Sequence, residues 1–254
     1  MRAAAAPPAV TGARREIERR LRRTALAYAV WLAGYEIVGR CAAALPGHDL
    51  SLPLDAAIPF VPAWVWVYQL TYLLPFLAPF AIEDGARFDR ALRAILLAAI
   101  TAYPIYLCLP VAFPHPALGE SLAERALALE RRLDVPNGGN HLPSLHVANA
   151  FILYLAVRGQ RLGRLGDRAA LGLATAIAAS TLLLKQHIVV DVIAGGLWAA
   201  GAWWSAADRH FVRITISIRR LLARPSAVAL SPIARDEPTP CTSSSSAFRP
   251  VETR

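Results

Sequence analysis

Three cysteines in 254 residues, Cys41, Cys108 and Cys241, are too few and too scattered for a disulfide framework, and no pair has metal-ligand spacing. Cys41 and Cys108 lie in apolar segments and read as small buried hydrophobes, while Cys241 falls in a polar tail. Charge is scarce as well: 18% of residues are charged against 56% apolar, and the mean hydropathy is +0.39. That balance fits a membrane protein better than a soluble domain. Residues 1–23 have no apolar core of their own, so no cleavable signal peptide is expected. Acidic residues number 18 against 27 basic ones, a net charge of +9, which raises the question of nucleic acid. The arginines, however, cluster in short runs between apolar segments, as in cytoplasmic loops of membrane proteins, and no nucleic-acid partner is expected.

What is present is a series of apolar runs. Residues 1–23 are Ala/Pro-rich and then basic, with Arg14, Arg15, Arg19, Arg20, Arg22 and Arg23 just ahead of the first run, and read as a basic cytoplasmic segment. Residues 24–207 hold six candidate spans, at 24–45, 56–82, 94–113, 143–157, 169–184 and 188–207. The first has roughly the 20 residues that a bilayer crossing needs. Glu36 and Arg40 share one face of it and read as a neutralising ion pair. The second is rich in proline and aromatics, among them Trp64, Trp66, Tyr68 and Tyr72, and its tryptophans read as an interfacial belt.

Between 117 and 134, Leu118, Leu122, Leu129 and Leu133 recur at helical spacing among charges, which predicts an amphipathic helix on the membrane surface. The stretch 136–139 breaks it, and Pro143-Ser144 opens the next helix with Ser144 as its cap. Residues 208–254 are basic and then Ser/Pro-rich, a cytoplasmic tail expected to be disordered.

Arginine counts orient the chain. Seven precede the first span, three fall at 82–93, four at 158–168 and eight after the sixth span. The opposite loops hold only Arg125, Arg131 and Arg132, balanced by nearby acids. Both termini are therefore expected in the cytoplasm, in a plasma (inner) membrane, with His115, Ser144, His146, His187 and Asp191 on the outer or periplasmic face.

Those residues carry the chemistry. His187 and Asp191 are four apart at a helix start, so the carboxylate can hold one ring nitrogen and leave the other free to attack. His146 suits a general acid, and Ser144 with the first N–H groups of its helix suits an anion. Each has a plainer reading: an interfacial His, as at His141 or His115, is commonly just a polar end group, an His/Asp pair can merely satisfy itself, and two histidines in a bundle can bind haem or a metal.

The combination resembles the type 2 phosphatidic acid phosphatase superfamily. Its signature runs Lys, six residues, Arg-Pro; then Pro-Ser-Gly-His; then Ser-Arg, five residues, His, three residues, Asp. Here the second part reads Pro143-Ser144-Leu145-His146 and the third Ser180-Thr181, five residues, His187, three residues, Asp191. The first aligns with Cys108, six residues, His115-Pro116.

The resemblance implies an all-α, six-helix membrane enzyme, a phosphatase or phosphotransferase of lipid metabolism. It assigns His187 as nucleophile, His146 as acid/base, Asp191 as its partner and Ser144 on the phosphate. Asn140, Lys185 and His115 join Ser144 as phosphate- or substrate-binding candidates, and neither metal nor cofactor is expected. Cys108, His115 and Thr181 stand where the family has phosphate-clamping cations, which favours a singly charged phosphodiester over a monoester. Lys185, Arg131 or Arg132 could restore some of that charge.

Leu145 and Ser180-Thr181 also resemble the inositol phosphorylceramide synthase branch, where the phosphohistidine is discharged to a lipid hydroxyl. The expected partners are the bilayer, a lipid phosphate and a lipid or water acceptor, with headgroup transfer favoured over hydrolysis. The alternative is a catalytically inactive protein of the same fold with a lipid-binding or transport role.

Overall fold

The computed structural model describes residues 8–134 and 139–207. The expectations for 1–7, for the helix break at 136–138 and for the tail at 208–254 lie outside the described residues. Among the described residues the chain is all-α: α1 (Pro8–Ala43), α2 (Pro53–Ala57), a 3-10 turn at Pro62–Trp64, α3 (Val65–Tyr68), α4 (Leu70–Ala81), α5 (Gly85–Cys108), α6 (Leu122–Leu133), α7 (Leu145–Val157), α8 (Gly163–Leu183) and α9 (Val189–Ser205). Two isolated backbone bridges, His48 with Val111 and Val111 with Gly139, tie three loops together.

α7 is the hub. It is apolar on every side and packs against α4, α5, α8 and α9, as a helix without a polar face must. Small residues let its neighbours close in: Ala91, Ala94, Ala98 and Ala102 form a buried stripe on α5, and Ala148 and Ala156 answer it on α7. On α9, a Cβ added at Gly195 would stand 2.6 Å from the Ser144 carbonyl, so only glycine permits that crossing.

Several segments differ from the sequence reading. The basic stretch before residue 24 is helical from Pro8, because Arg14–Glu18 and Arg20–Glu16 pair four apart along one helix. The second span is not one helix. Pro53 and Pro62 sit at helix starts, where their missing N–H groups cost nothing, and Ile58 ahead of Pro59 is extended, so the segment divides into α2, the 3-10 turn, α3 and α4. α5 begins nine residues before the expected 94, with Asp84 accepting from Ala86 N at 2.8 Å, and takes Arg87, Arg90 and Arg93 into its first turns.

The amphipathic helix starts at Leu122, where Ser121 and Glu124 form a reciprocal cap. Its buried positions are Leu127 and Glu130, while Leu122, Leu129 and Leu133 face outward. Cys41 and Cys108 are exposed rather than buried, both on outward helix faces. Glu36 and Arg40 do pair, at 3.0 Å.

By length and composition, one helix among the described residues, Gly85–Cys108, can cross a membrane; Leu145–Val157 is apolar but shorter. α1 is longer than a bilayer core, 36 residues or about 54 Å, but its first half is charged.

One end of the bundle is stapled by arginine. Arg20 donates to the carbonyls of Ile82 and Glu83, Arg87 to Leu155, Arg90 to Trp203 and Arg93 to Ala206. These carbonyls lie at the C-terminal ends of α4, α7 and α9, which leave such groups unpaired. The opposite end carries His115, His141, His146 and His187.

Candidate active site

The loop entering α7 is pinned at each step. Gly139 has φ +109° and passes so close to α1 that a Cβ there would stand 2.9 Å from the Ala42 backbone. The Tyr106 hydroxyl donates to the Pro143 carbonyl at 2.8 Å, and Ser144 N donates to the Asp191 carbonyl at 3.1 Å. Ser144 caps α7 as expected, its Oγ accepting from Val147 N at 3.4 Å.

The loop from α8 to α9 is built as tightly. Gln186 N and His187 N both donate to the Thr181 carbonyl, at 2.9 and 3.1 Å. Lys185 has φ +54°, a left-handed conformation unfavourable for a side chain and common where function requires it. Its ammonium offsets the strain by donating to the carbonyls of Asp55 and Ile58, at 2.5 and 2.6 Å. Asp55 itself accepts from Val189 N at 2.7 Å, capping α9 from a distant segment. His187 Nδ1 lies 3.2 Å from Asp191 Oδ2, which also accepts from Ile188 N at 3.2 Å.

Four imidazoles converge here. The ring centroids of His146 and His187 are 5.7 Å apart, those of His141 and His187 5.5 Å, and those of His115 and His141 6.2 Å. His146 Nε2 meets the hydroxyls of Tyr68 and Tyr72 at 3.0 and 3.1 Å, and Tyr72 donates to Glu130 Oε1 at 2.5 Å. Burial holds the His187 and His141 rings neutral, pushing both down to about 3 from an ordinary 6.5. A neutral His187 is a competent nucleophile without prior deprotonation.

A cavity of about 470 Å³ opens on His187, lined also by Asp55, Phe113, His115 and Lys185. The structure thus brings together His146, His187, Asp191 and Ser144. His115 lines the cavity, with its Nδ1 2.8 Å from the Lys185 carbonyl. The Lys185 side chain reaches the cavity wall while bonded to backbone carbonyls. Asn140 is buried, its amide nitrogen without a partner among the described residues.

Of the positions where the family carries cations, Cys108 is exposed, and Thr181 is buried with its hydroxyl on the Ala178 carbonyl. Sequence reasoning missed Tyr68, Tyr72, Glu130 and Asp55. The four-residue spacing of the tyrosines is their one signal in the sequence. Donor atoms of His141, His187 and Asp191 lie within 4.8 Å of one another, the one such group among the described residues close enough to hold a metal ion.

Comparison with curated proteins finds no significant match. The family model of the PAP2 superfamily matches residues 48–205, which contain both histidine motifs and the loops that pin them. With the match covering more than half of the chain and the two imidazoles facing one another where those motifs meet, the protein belongs to the PAP2 superfamily.

Proposed function

We propose that the protein is a membrane-embedded phosphotransferase that moves a lipid phosphate through a phosphohistidine at His187, with residues 24–207 as its six-span domain. The observation that carries this is the facing pair of His146 and His187, with Asp191 on the Nδ1 side of His187 and the capped N-terminus of α7 alongside. Membrane embedding is supported by large apolar side chains turned outward at helical spacing: Leu73, Leu77 and Phe80 on α4, and Ile193, Leu197 and Trp204 on α9. The arginine-rich end faces the cytoplasm by the positive-inside rule, which puts the histidine end on the outer face of the plasma membrane.

The reaction runs in two halves. The His187 ring nitrogen turned away from Asp191 attacks phosphorus while Asp191 holds the other. The bond from phosphorus to the leaving oxygen breaks, and His146 gives that oxygen a proton. Ser144 and the first amides of α7 hold the phosphoryl oxygens, with Asn140, His115 and Lys185 bordering the substrate. An acceptor hydroxyl then attacks phosphorus and gives its proton to His146. The P–N bond breaks, and its electron pair returns to His187.

Transfer of a phosphodiester headgroup is favoured over monoester hydrolysis. Cys108, His115 and Thr181 supply no permanent cation, and the Lys185 ammonium already holds two carbonyls. With no cation at those three positions and Lys185 bonded elsewhere, helix amides suit one negative charge better than two. Leu145 and Ser180-Thr181 carry the same preference, as in the inositol phosphorylceramide synthase branch.

The test is to incubate purified protein with phosphorus-labelled phospholipid, with and without an alcohol acceptor. Acid-labile label on His187 and its discharge to the alcohol are expected, with His187→Ala losing both. Full turnover by His187→Ala would remove the reading, and absence of label from the unaltered protein would favour the inactive alternative.

A further inference from the structure

His187 and His146 line different cavities. His146 borders a second one of about 380 Å³, walled by Tyr28, Trp31 and Tyr35 of α1, Tyr72 of α4, and Glu130 and Leu133 of α6. We propose that this second cavity is the acceptor site, taking the hydroxyl end of an uncharged membrane amphiphile and presenting it to His146. The proposal rests on the phosphotransfer reading above and names the class of molecule that discharges the phosphohistidine.

Charge sets the class. Glu36, Glu130 and Asp134 line this cavity, Glu36 paired with Arg40 at 3.0 Å, and among the described residues no Lys or Arg lines it. A phosphate or other anion entering it would meet carboxylates, so it is not a second place for the donor. The walls are aromatic and aliphatic, with Trp31 stacked between Tyr28 and Tyr35 at 5.5 and 5.2 Å. Leu32 and Leu133 at the rim are 39% and 68% exposed, which makes the entrance apolar and places it between α1 and the amphipathic α6. In the membrane orientation proposed above, that entrance faces the outer leaflet rather than water.

The polar groups are those a hydroxyl needs. Tyr72 has one proton and gives it to Glu130, so its oxygen remains an acceptor beside His146 Nε2. Trp31, a residue 4% exposed, lines the cavity, and its buried indole N–H has no partner among the described residues. As the acceptor oxygen bonds to phosphorus its proton passes to His146, and the P–N bond to His187 breaks with the electron pair left on the imidazole. Atoms and charge balance with no further reactant.

The test uses the full chain in phosphatidylcholine nanodiscs and a hexadecanol carrying a diazirine near its hydroxyl. After irradiation, adducts are mapped by peptide mass spectrometry. They are expected within 28–35 and 130–134, reduced about tenfold by Leu32→Trp or Leu133→Trp, both at exposed rim positions. Unlabelled hexadecanol should compete and hexadecyl phosphate should not. Adducts scattered along outward leucines such as Leu73 and Leu197, adducts at 113–116, or equal competition by the phosphate would overturn the proposal. Labelling needs no turnover, so a failure to phosphorylate His187 would sink the chemistry without touching this result, and scattered adducts would sink the cavity while the chemistry stood.

Discussion

At one end of the bundle Arg20, Arg87, Arg90 and Arg93 close the C-terminal carbonyls of three helices, whereas at the other neutral imidazoles and a buried carboxylate gather around the N-termini of α7 and α9. Helix ends present unpaired groups at both, and the macrodipole favours cations at the first and anions at the second. The arginine end spends its charge on the protein's own carbonyls. In the proposed reaction the histidine end turns the α7 N-terminus and the His187 ring towards a substrate. Stability and chemistry are thus held at opposite ends of one core, and substitutions should separate them.

Asp191→Asn should have the largest effect, slowing turnover by about 10²- to 10⁴-fold by unsettling the His187 tautomer. Single-turnover phosphorylation of His187 measures this, and an unchanged rate would mean that the pair only satisfies itself. His115→Arg carries a permanent cation into the histidine end and should raise monoester turnover relative to diester turnover by about tenfold, read from the two kcat/KM values.

Arg90→Ala should do the reverse of Asp191→Asn. It strips two hydrogen bonds from the Trp203 carbonyl and a guanidinium stacked 4.0 Å over the Trp203 ring. Thermal unfolding in detergent should report a loss of about 1–3 kcal/mol, with turnover per folded molecule unaltered.

The pH dependence belongs to the histidine end. His141 and His187 stay neutral in the folded chain down to about 3, while in the unfolded chain they take up protons near 6.5. Stability contributed by these rings is therefore complete above 6.5 and falls as the pH drops towards 3, by up to about 1.4 kcal/mol per pH unit for each. His141→Phe should flatten that slope in a series of Tm measurements, and the Arg90→Ala protein should keep it.

What the sequence disclosed was local. Pro143-Ser144 marked a helix start because a cap and its helix are neighbours, Glu36 and Arg40 met because four residues make one turn, and the leucines of α6 declared an amphipathic helix. The pairing of His187 with Asp191 was legible for the same reason. The hidden parts depend on contacts across the chain: Asp55 caps a helix 134 positions away, and Tyr72 reaches His146 across 74. The two carbonyls that hold the Lys185 ammonium were hidden for the same reason, because spacing shows that a cation is near the site and not what it is bonded to.

The backbone bond from Ser144 to Asp191, under the glycine crossing at 195, joins the two motifs main chain to main chain. The separation of the two motif backbones, across which the proposed transfer would run, is therefore gauged by peptide geometry, which neither lipid composition nor the rotamer of a neighbouring side chain can stretch. Catalytic spacing of this kind should persist through bilayers of different thickness, with only access to the site changing.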